Sequence, residues 1–208
     1  MKNKIIKYWN YFYKNRIVSS NPTKFSQFCY KYLKNYKGIL YDAGCGNGRD
    51  TIFFYRKKLK IIGIDISSKA IELNKKKNPK LVQNFKKKNF CKFFRKKIKE
   101  RFSVYLRFTI HTINLQEENF FLRDIFNQPK LDYLFIETRT TQDELYGLGK
   151  KIGKNEFFSD HYRRFIVPSE FKKKFSKKMK IIYFRSSKSF AIYKNYRPNV
   201  LRIILKKN

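Results

Sequence analysis

Short, nearly continuous apolar runs alternate along this chain with stretches whose apolar residues recur every three or four positions. The runs at 39–43, 61–65, 81–85, 103–105, 131–137, 181–185 and 200–205 have strand length. Their unbroken apolar character suits strands buried on both faces of a parallel sheet. Helical periodicity fills the gaps. Residues 2–18 place Ile5, Ile6, Trp9, Phe12 and Tyr13 on one face. Asn21-Pro22 breaks that pattern, and Thr23 can cap a second helix through Phe25, Phe28, Tyr32 and Leu33. Helices are expected from Arg49 to Lys58, from the Ser67 cap to Asn78, over the basic segment 92–101, from the Asn114 cap to Phe126, and over 171–179, the last opened by Pro168-Ser169-Glu170. Residues 138–167 read as a long loop, a length at which loops are commonly functional. Strands alternating with helices imply one doubly wound α/β domain over 38–208, preceded by a helical cover over 1–37. The expected sheet is Rossmann-like, seven-stranded and mostly parallel, with an antiparallel final strand.

The informative stretch runs from Gly38 to Ile66. The strand Ile39–Ala43 leads into Gly44-Cys45-Gly46-Asn47-Gly48, then a helix, then the strand Ile61–Asp65. Glycines at alternate positions let the backbone turn sharply and keep side chains away from a ligand lying against it. Asp65, at the end of the second strand, is placed to take the hydroxyls of a ribose. The third glycine comes two residues after the second, unlike the dinucleotide fingerprint, and Asp42 precedes the turn. An acid there would repel a pyrophosphate but suits a cationic ligand.

Composition changes this picture little. The net charge of +35 invites a polyanion partner, yet 37 lysines against 13 arginines, with abundant Asn, Ile, Phe and Tyr, equally fit A- and T-rich codons. Nucleic acid is therefore a possible partner but not the favoured one. Three cysteines without paired spacing point to a reducing compartment and against structural zinc, so no metal is implied. No stretch approaches the ~20 apolar residues of a membrane span, and no signal peptide is evident, so a cytoplasmic protein is expected. Oligomeric state is not legible.

Asp42-x-Gly44-x-Gly46-x-Gly48 resembles motif I of the class I S-adenosylmethionine (SAM) methyltransferases, and Gly63-Ile64-Asp65-Ile66-Ser67 resembles their second motif. The resemblance covers about residues 38–137. It implies SAM as cofactor, held by Asp42, Gly44, Cys45, Gly46, Gly48, Asp65 and Ile66. It puts Asn89 and Phe90 at the adenine, with Asn89 standing where the family often has an acid. It also implies that the leading helices cover the cofactor.

Ligands of open α/β sheets bind beyond the carboxyl ends of the strands. That rule gathers both histidines of the chain, His111 and His161, as candidate bases. It also gathers Arg107, Arg139, Arg163 and Arg164, whose planar forks suit carboxylate or phosphate, although salt bridges to Glu137, Asp143 or Asp160 compete. The blocks around Arg107–His111, Glu137–Gly149 and Asp160–Phe165 are similar to a bacterial subgroup linked to surface-polysaccharide and small-molecule modification. No Asn/Asp-Pro-Pro-Tyr or Pro-Cys motif is present. The leading expectation is O-methylation of a small anionic acceptor, a sugar acid or phosphorylated compound. An RNA methyltransferase and a catalytically silent SAM-binding module are the alternatives.

Overall fold

The computed structural model describes residues 2–175, 178–193 and 195–208. Its sheet strands are β1 (Ile39–Ala43), β2 (Lys60–Asp65), β3 (Phe85–Lys87), β4 (Phe102–Arg107), β5 (Leu131–Arg139), β9 (Met179–Ser187) and β10 (Val200–Lys207). They lie in the order β3-β2-β1-β4-β5-β10-β9. Neighbours from β3 through β5 pair in parallel, and β10 runs antiparallel to both β5 and β9. The expected seven-stranded sheet with a reversed last strand is therefore observed. The direction of winding reverses where β1 meets β4, and a crevice opens there beyond the strand ends.

Side chains of the central strands alternate between two cores, as the pleat requires. Phe102, Val104 and Leu106 of β4 join Phe121 and Leu122 of α6 (Leu115–Phe126) on one face. Tyr105 turns to the other face, with Leu40, Phe54, Phe135 and Ile204. There it meets Phe25, Cys29 and Leu33 of α2 (Lys24–Leu33), all fully buried. Thr23 caps α2 by accepting from Ser26 N–H, and it donates its own N–H and O–H to Asp50 at 2.8 and 2.9 Å. Of the two leading helices, α2 is thus built into the core, and α1 (Lys2–Asn15) lies over the strand ends.

Ser67 caps α4 (Ser68–Lys77), and Asn114 caps α6, as their positions predict. Four expectations shift. Residues 79–84 form a 3-10 turn opened by Pro79, so strand three begins only at Phe85. The segment 92–101 is mostly irregular, with one turn of helix, α5 (Phe90–Phe93), ahead of it. Phe94 and Ile98 of the segment still reach the core, and Gln128 binds its backbone, accepting from Ile98 N–H and donating to the Phe94 and Lys96 carbonyls. The helix expected to open at Pro168-Ser169-Glu170 and run over 171–179 is α7 (Pro168–Lys173), with Pro168 in its first turn as expected but with an earlier end; residues 176 and 177 of that expectation lie outside the described residues. Finally, 138–167 is not a bare loop. It carries a small antiparallel sheet of β6 (Lys150–Gly153), β7 (Glu156–Phe158) and β8 (Tyr162–Arg164). Its two ends meet: Thr140 bridges Ile166, and Ile166 N–H donates to Arg139 O at 3.1 Å.

Gly48 caps α3 (Arg49–Arg56) with a φ of 73°. A Cβ there would stand 2.7 Å from Asn74 Oδ1 and 2.9 Å from the Phe85 ring. Gly48→Ala is expected to cost about 2 kcal/mol from backbone strain and crowding together, read as a lower urea midpoint at unchanged m-value.

Candidate functional site

A cavity of about 290 Å³ occupies the crevice, floored by the β1 turn and the end of β4 and roofed by α1. Gly44 and Gly46 have φ of 84° and 54°, which turns the chain back on itself directly after β1. Thr109 braces the turn by donating to Ala43 O at 2.9 Å. A Cβ on Gly46 would lie 2.4 Å from the hydroxyl of Tyr13, so the roof helix descends onto the turn itself.

Asp65 is 8% exposed, with each carboxylate oxygen accepting one backbone N–H, from Gly46 at 2.9 Å and Ser67 at 2.8 Å. Burial raises its pKa, and those N–H groups oppose the rise. Each oxygen keeps further lone-pair capacity toward the cavity. Asp42 accepts from Thr51 O–H at 2.6 Å. Burial, and then the neighbouring Asp50, push it up to about 8. Asp50 itself is held by Thr23 and by Tyr105 O–H at 2.8 Å. Arg49, in the first turn of α3, lines the same cavity and makes no hydrogen bond or salt bridge among the described residues. Burial, and then Arg107 beside it, lower its pKa.

Of the residues anticipated from sequence, Asp42, Gly44, Cys45, Gly46, Asp65, Ile66, Asn89, Phe90 and Arg107 line this cavity. Asn89 also caps α5, accepting from Lys92 N–H. Gly48 does not line it: its open face is turned to Asn74 and Phe85, so the third glycine serves packing. The histidines stand one layer back. His111, 4% exposed, packs edge-on against Phe108 at 5.6 Å between ring centres. His161 packs on Tyr8 and Trp9 of α1 at 4.6 and 5.1 Å. Burial, then the arginine charges, holds His111 well below its ordinary pKa and lowers His161 to about 4, so both are neutral at physiological pH. Asp160 Oδ2 lies 3.1 Å from His161 Nδ1 and accepts from Tyr8 O–H at 2.7 Å.

The arginines are not a set of unpaired forks. Arg139 pairs with Asp143 at 2.9 Å, Arg163 with Asp160 at 2.7 Å, and Arg164 with Glu118. Arg107 donates through Nε to Glu137 at 2.9 Å, and Arg202 binds the other oxygen of that carboxylate at 2.6 Å. Glu137 thus serves two guanidinium groups, and the terminal nitrogens of Arg107 have no partner among the described residues. Sequence reasoning missed Arg49, Asp50 and Tyr105. Arg49 was readable as the residue directly after the glycine turn, whereas Tyr105 reads as an ordinary core strand position.

A winding reversal, a glycine turn under a roof helix and a buried acid at the end of the second strand define a Rossmann-like nucleoside-cofactor protein. A family model described as a methyltransferase domain matches residues 35–161. The chain belongs to that methyltransferase family. No curated protein matches it. Solved structures share the fold. A SAM-dependent methyltransferase from Methanosarcina mazei is 19% identical over 86% of this chain and 96% of that one, with a TM-score of 0.71. One from Anabaena variabilis is 18% identical over 99% and 94%, with a TM-score of 0.69. The 1,6-didemethyltoxoflavin-N1-methyltransferase of Burkholderia thailandensis, with bound 1,6-didemethyltoxoflavin and S-adenosylhomocysteine, is 12% identical over 88% and 76%, with a TM-score of 0.62. Among the described residues, no helix is long and apolar enough to cross a membrane.

Proposed function

We propose that the protein transfers the methyl group of SAM to an oxygen of a small anionic acceptor. The observation that carries the cofactor is the meeting, in one cavity, of the Gly44–Gly46 turn, buried Asp42 and Asp65, and unpaired Arg49. A zwitterionic amino acid joined to a ribose needs that set. Asp42 faces the ammonium, Arg49 the carboxylate, Asp65 the ribose hydroxyls, and Ile66, Asn89 and Phe90 the adenine. The cavity that these residues line is closed over Gly46 by Tyr13 of the roof helix, which would cover the bound group.

Bound SAM supplies a sulfonium methyl that is already activated, so the protein's part is alignment and exclusion of water. The acceptor oxygen takes the methyl as the carbon–sulfur bond breaks, leaving S-adenosylhomocysteine and a methyl ether. The hydroxyl proton passes to a base, a role we assign to His161 rather than His111. His161 sits beside Asp160, whose carboxylate stabilises the imidazolium formed, and packs on Trp9 of the cavity roof. Arg107, with its terminal nitrogens unpartnered, anchors the acceptor's anionic group, a feature shared by sugar acids and phosphorylated compounds. α1 acts as the lid.

Calorimetry tests the cofactor: SAM is expected to bind, and Arg49→Met to weaken it about tenfold, as for a charged hydrogen bond worth about 1.5 kcal/mol. Unchanged affinity in Arg49→Met would refute the carboxylate assignment. His161→Gln is expected to lower kcat roughly tenfold to 100-fold at unchanged SAM affinity. Equal turnover in the variant would remove His161 as the base.

A further inference from the structure

The acceptor side of the cavity has a composition that narrows the substrate class. Spaced along the inner face of α1, Trp9 and Phe12 present flat rings, their centres 5.5 Å apart. Across from them, at the carboxyl end of β4, Phe108 also lines the cavity. Phe108 has a φ of 52°, a left-handed backbone that a bulky side chain adopts only at a cost of roughly 1–3 kcal/mol. Surrounding contacts hold it there. Its N–H donates to Glu137 O at 2.8 Å, and the Arg107 and Arg139 guanidinium groups lie 4.4 and 5.0 Å from its ring centre. A strained aromatic residue fixed between two cations beside the glycine turn keeps this wall apolar and gives it a rigid shape.

A sugar presents several hydroxyls that each need a partner, and burying one unpaired costs about 1–3 kcal/mol. The ring faces of Trp9, Phe12 and Phe108 and the Ile113 side chain offer no such partner, and the hydroxyls of Thr109 and Thr112 are already donated to backbone carbonyls. Glu117 is the one acid among these neighbours, whereas Arg107 supplies one cationic fork. We propose that the acceptor is a planar hydroxylated aromatic acid, its ring held between the α1 aromatics and Phe108 and its carboxylate on Arg107. This narrows the anionic-acceptor reading and rests on it. The aromatic faces contribute stacking, about 0.5–1.5 kcal/mol per ring pair beyond area burial. The carboxylate meets a guanidinium already desolvated and oriented by Glu137.

The full chain contains one tryptophan, Trp9, so its emission reports directly on this wall. The test titrates protein saturated with S-adenosylhomocysteine, using 4-hydroxybenzoate, phenol and glucuronate as probes, and follows label transfer from methyl-labelled SAM to each. Saturable quenching by 4-hydroxybenzoate, labelled product from it, and at least tenfold weaker binding of phenol and glucuronate are expected. Arg107→Met is expected to raise the 4-hydroxybenzoate Kd at least tenfold while leaving the phenol Kd within twofold. Glucuronate binding more tightly than 4-hydroxybenzoate, or no binding of 4-hydroxybenzoate at all, would overturn the aromatic assignment while the cofactor reading stands. Failure of S-adenosylhomocysteine to bind, read first and separately by calorimetry, would overturn both.

Discussion

Asp65→Ala is expected to lose SAM affinity by roughly 100-fold or more while the protein stays folded. The carboxylate organises the turn from both oxygens, accepting Gly46 N–H and Ser67 N–H, and its remaining lone pairs face the cavity. On the proposed assignment, its removal takes away two charge-assisted hydrogen bonds to ribose, each worth about 1.5–3 kcal/mol, and frees the turn that approaches the ligand. About 3 kcal/mol corresponds to more than two decades in Kd. Asp65→Asn separates the contributions: an amide keeps one acceptor, and its loss is expected to be intermediate. Calorimetric titration reads both variants, with the thermal midpoint as the control for folding. SAM binding to Asp65→Ala with wild-type affinity would show that the ribose is held elsewhere.

Asp42 carries the second large effect, a dependence on pH. Its pKa is pushed up to about 8, first by burial and then by Asp50, against an ordinary value of 3.8. The folded protein therefore holds a proton that the unfolded chain releases once pH exceeds 3.8. Stability falls as pH rises from about 4 to 8 and levels off above 8, where both states are ionised. The total is on the order of 5 kcal/mol. Asp42→Asn, which retains an acceptor for Thr51 O–H, is expected to raise the thermal midpoint at pH 8.5 and to leave it little changed near pH 4. Binding runs the opposite way. A cationic ligand favours the ionised carboxylate, so SAM affinity rises by up to tenfold per pH unit toward pH 8 with release of a proton. Calorimetry in buffers of different ionisation enthalpy counts that proton. A pH-independent affinity, or equal stability of Asp42→Asn at pH 8.5, would contradict the assignment.

What the chain disclosed in advance follows from how local each feature is. β1, the glycine turn, α3 and β2 are contiguous, so spacing alone located the cavity floor and the acid at the end of β2. The caps at Thr23, Ser67 and Asn114 were readable for the same reason. Pairing across the sequence was not. Arg107 meets Glu137 thirty residues away, and Tyr8 meets Asp160 across 152 positions. The order of residues offered Glu137, Asp143 and Asp160 as competing acids, but it did not show that all four arginines would be paired, that Glu118 would take Arg164, or that one glutamate would serve two guanidinium groups. The third glycine misled because packing against Asn74 and the demands of a ligand select the same residue. Strand three slid because Pro79 stabilised a turn where the apolar pattern alone suggested extended chain.

The insertion after β5 leaves the sheet and returns to it at one spot, with Thr140 bridged to Ile166. It packs His161 on Tyr8 and Trp9 of the roof helix, with Asp160 beside it, and contributes no residue to the cavity lining. A graft point of this kind lets a segment that supports the roof from outside change without disturbing the sheet. Residues 141–165 can therefore be varied in the laboratory without altering the turn and the acids that floor the cavity.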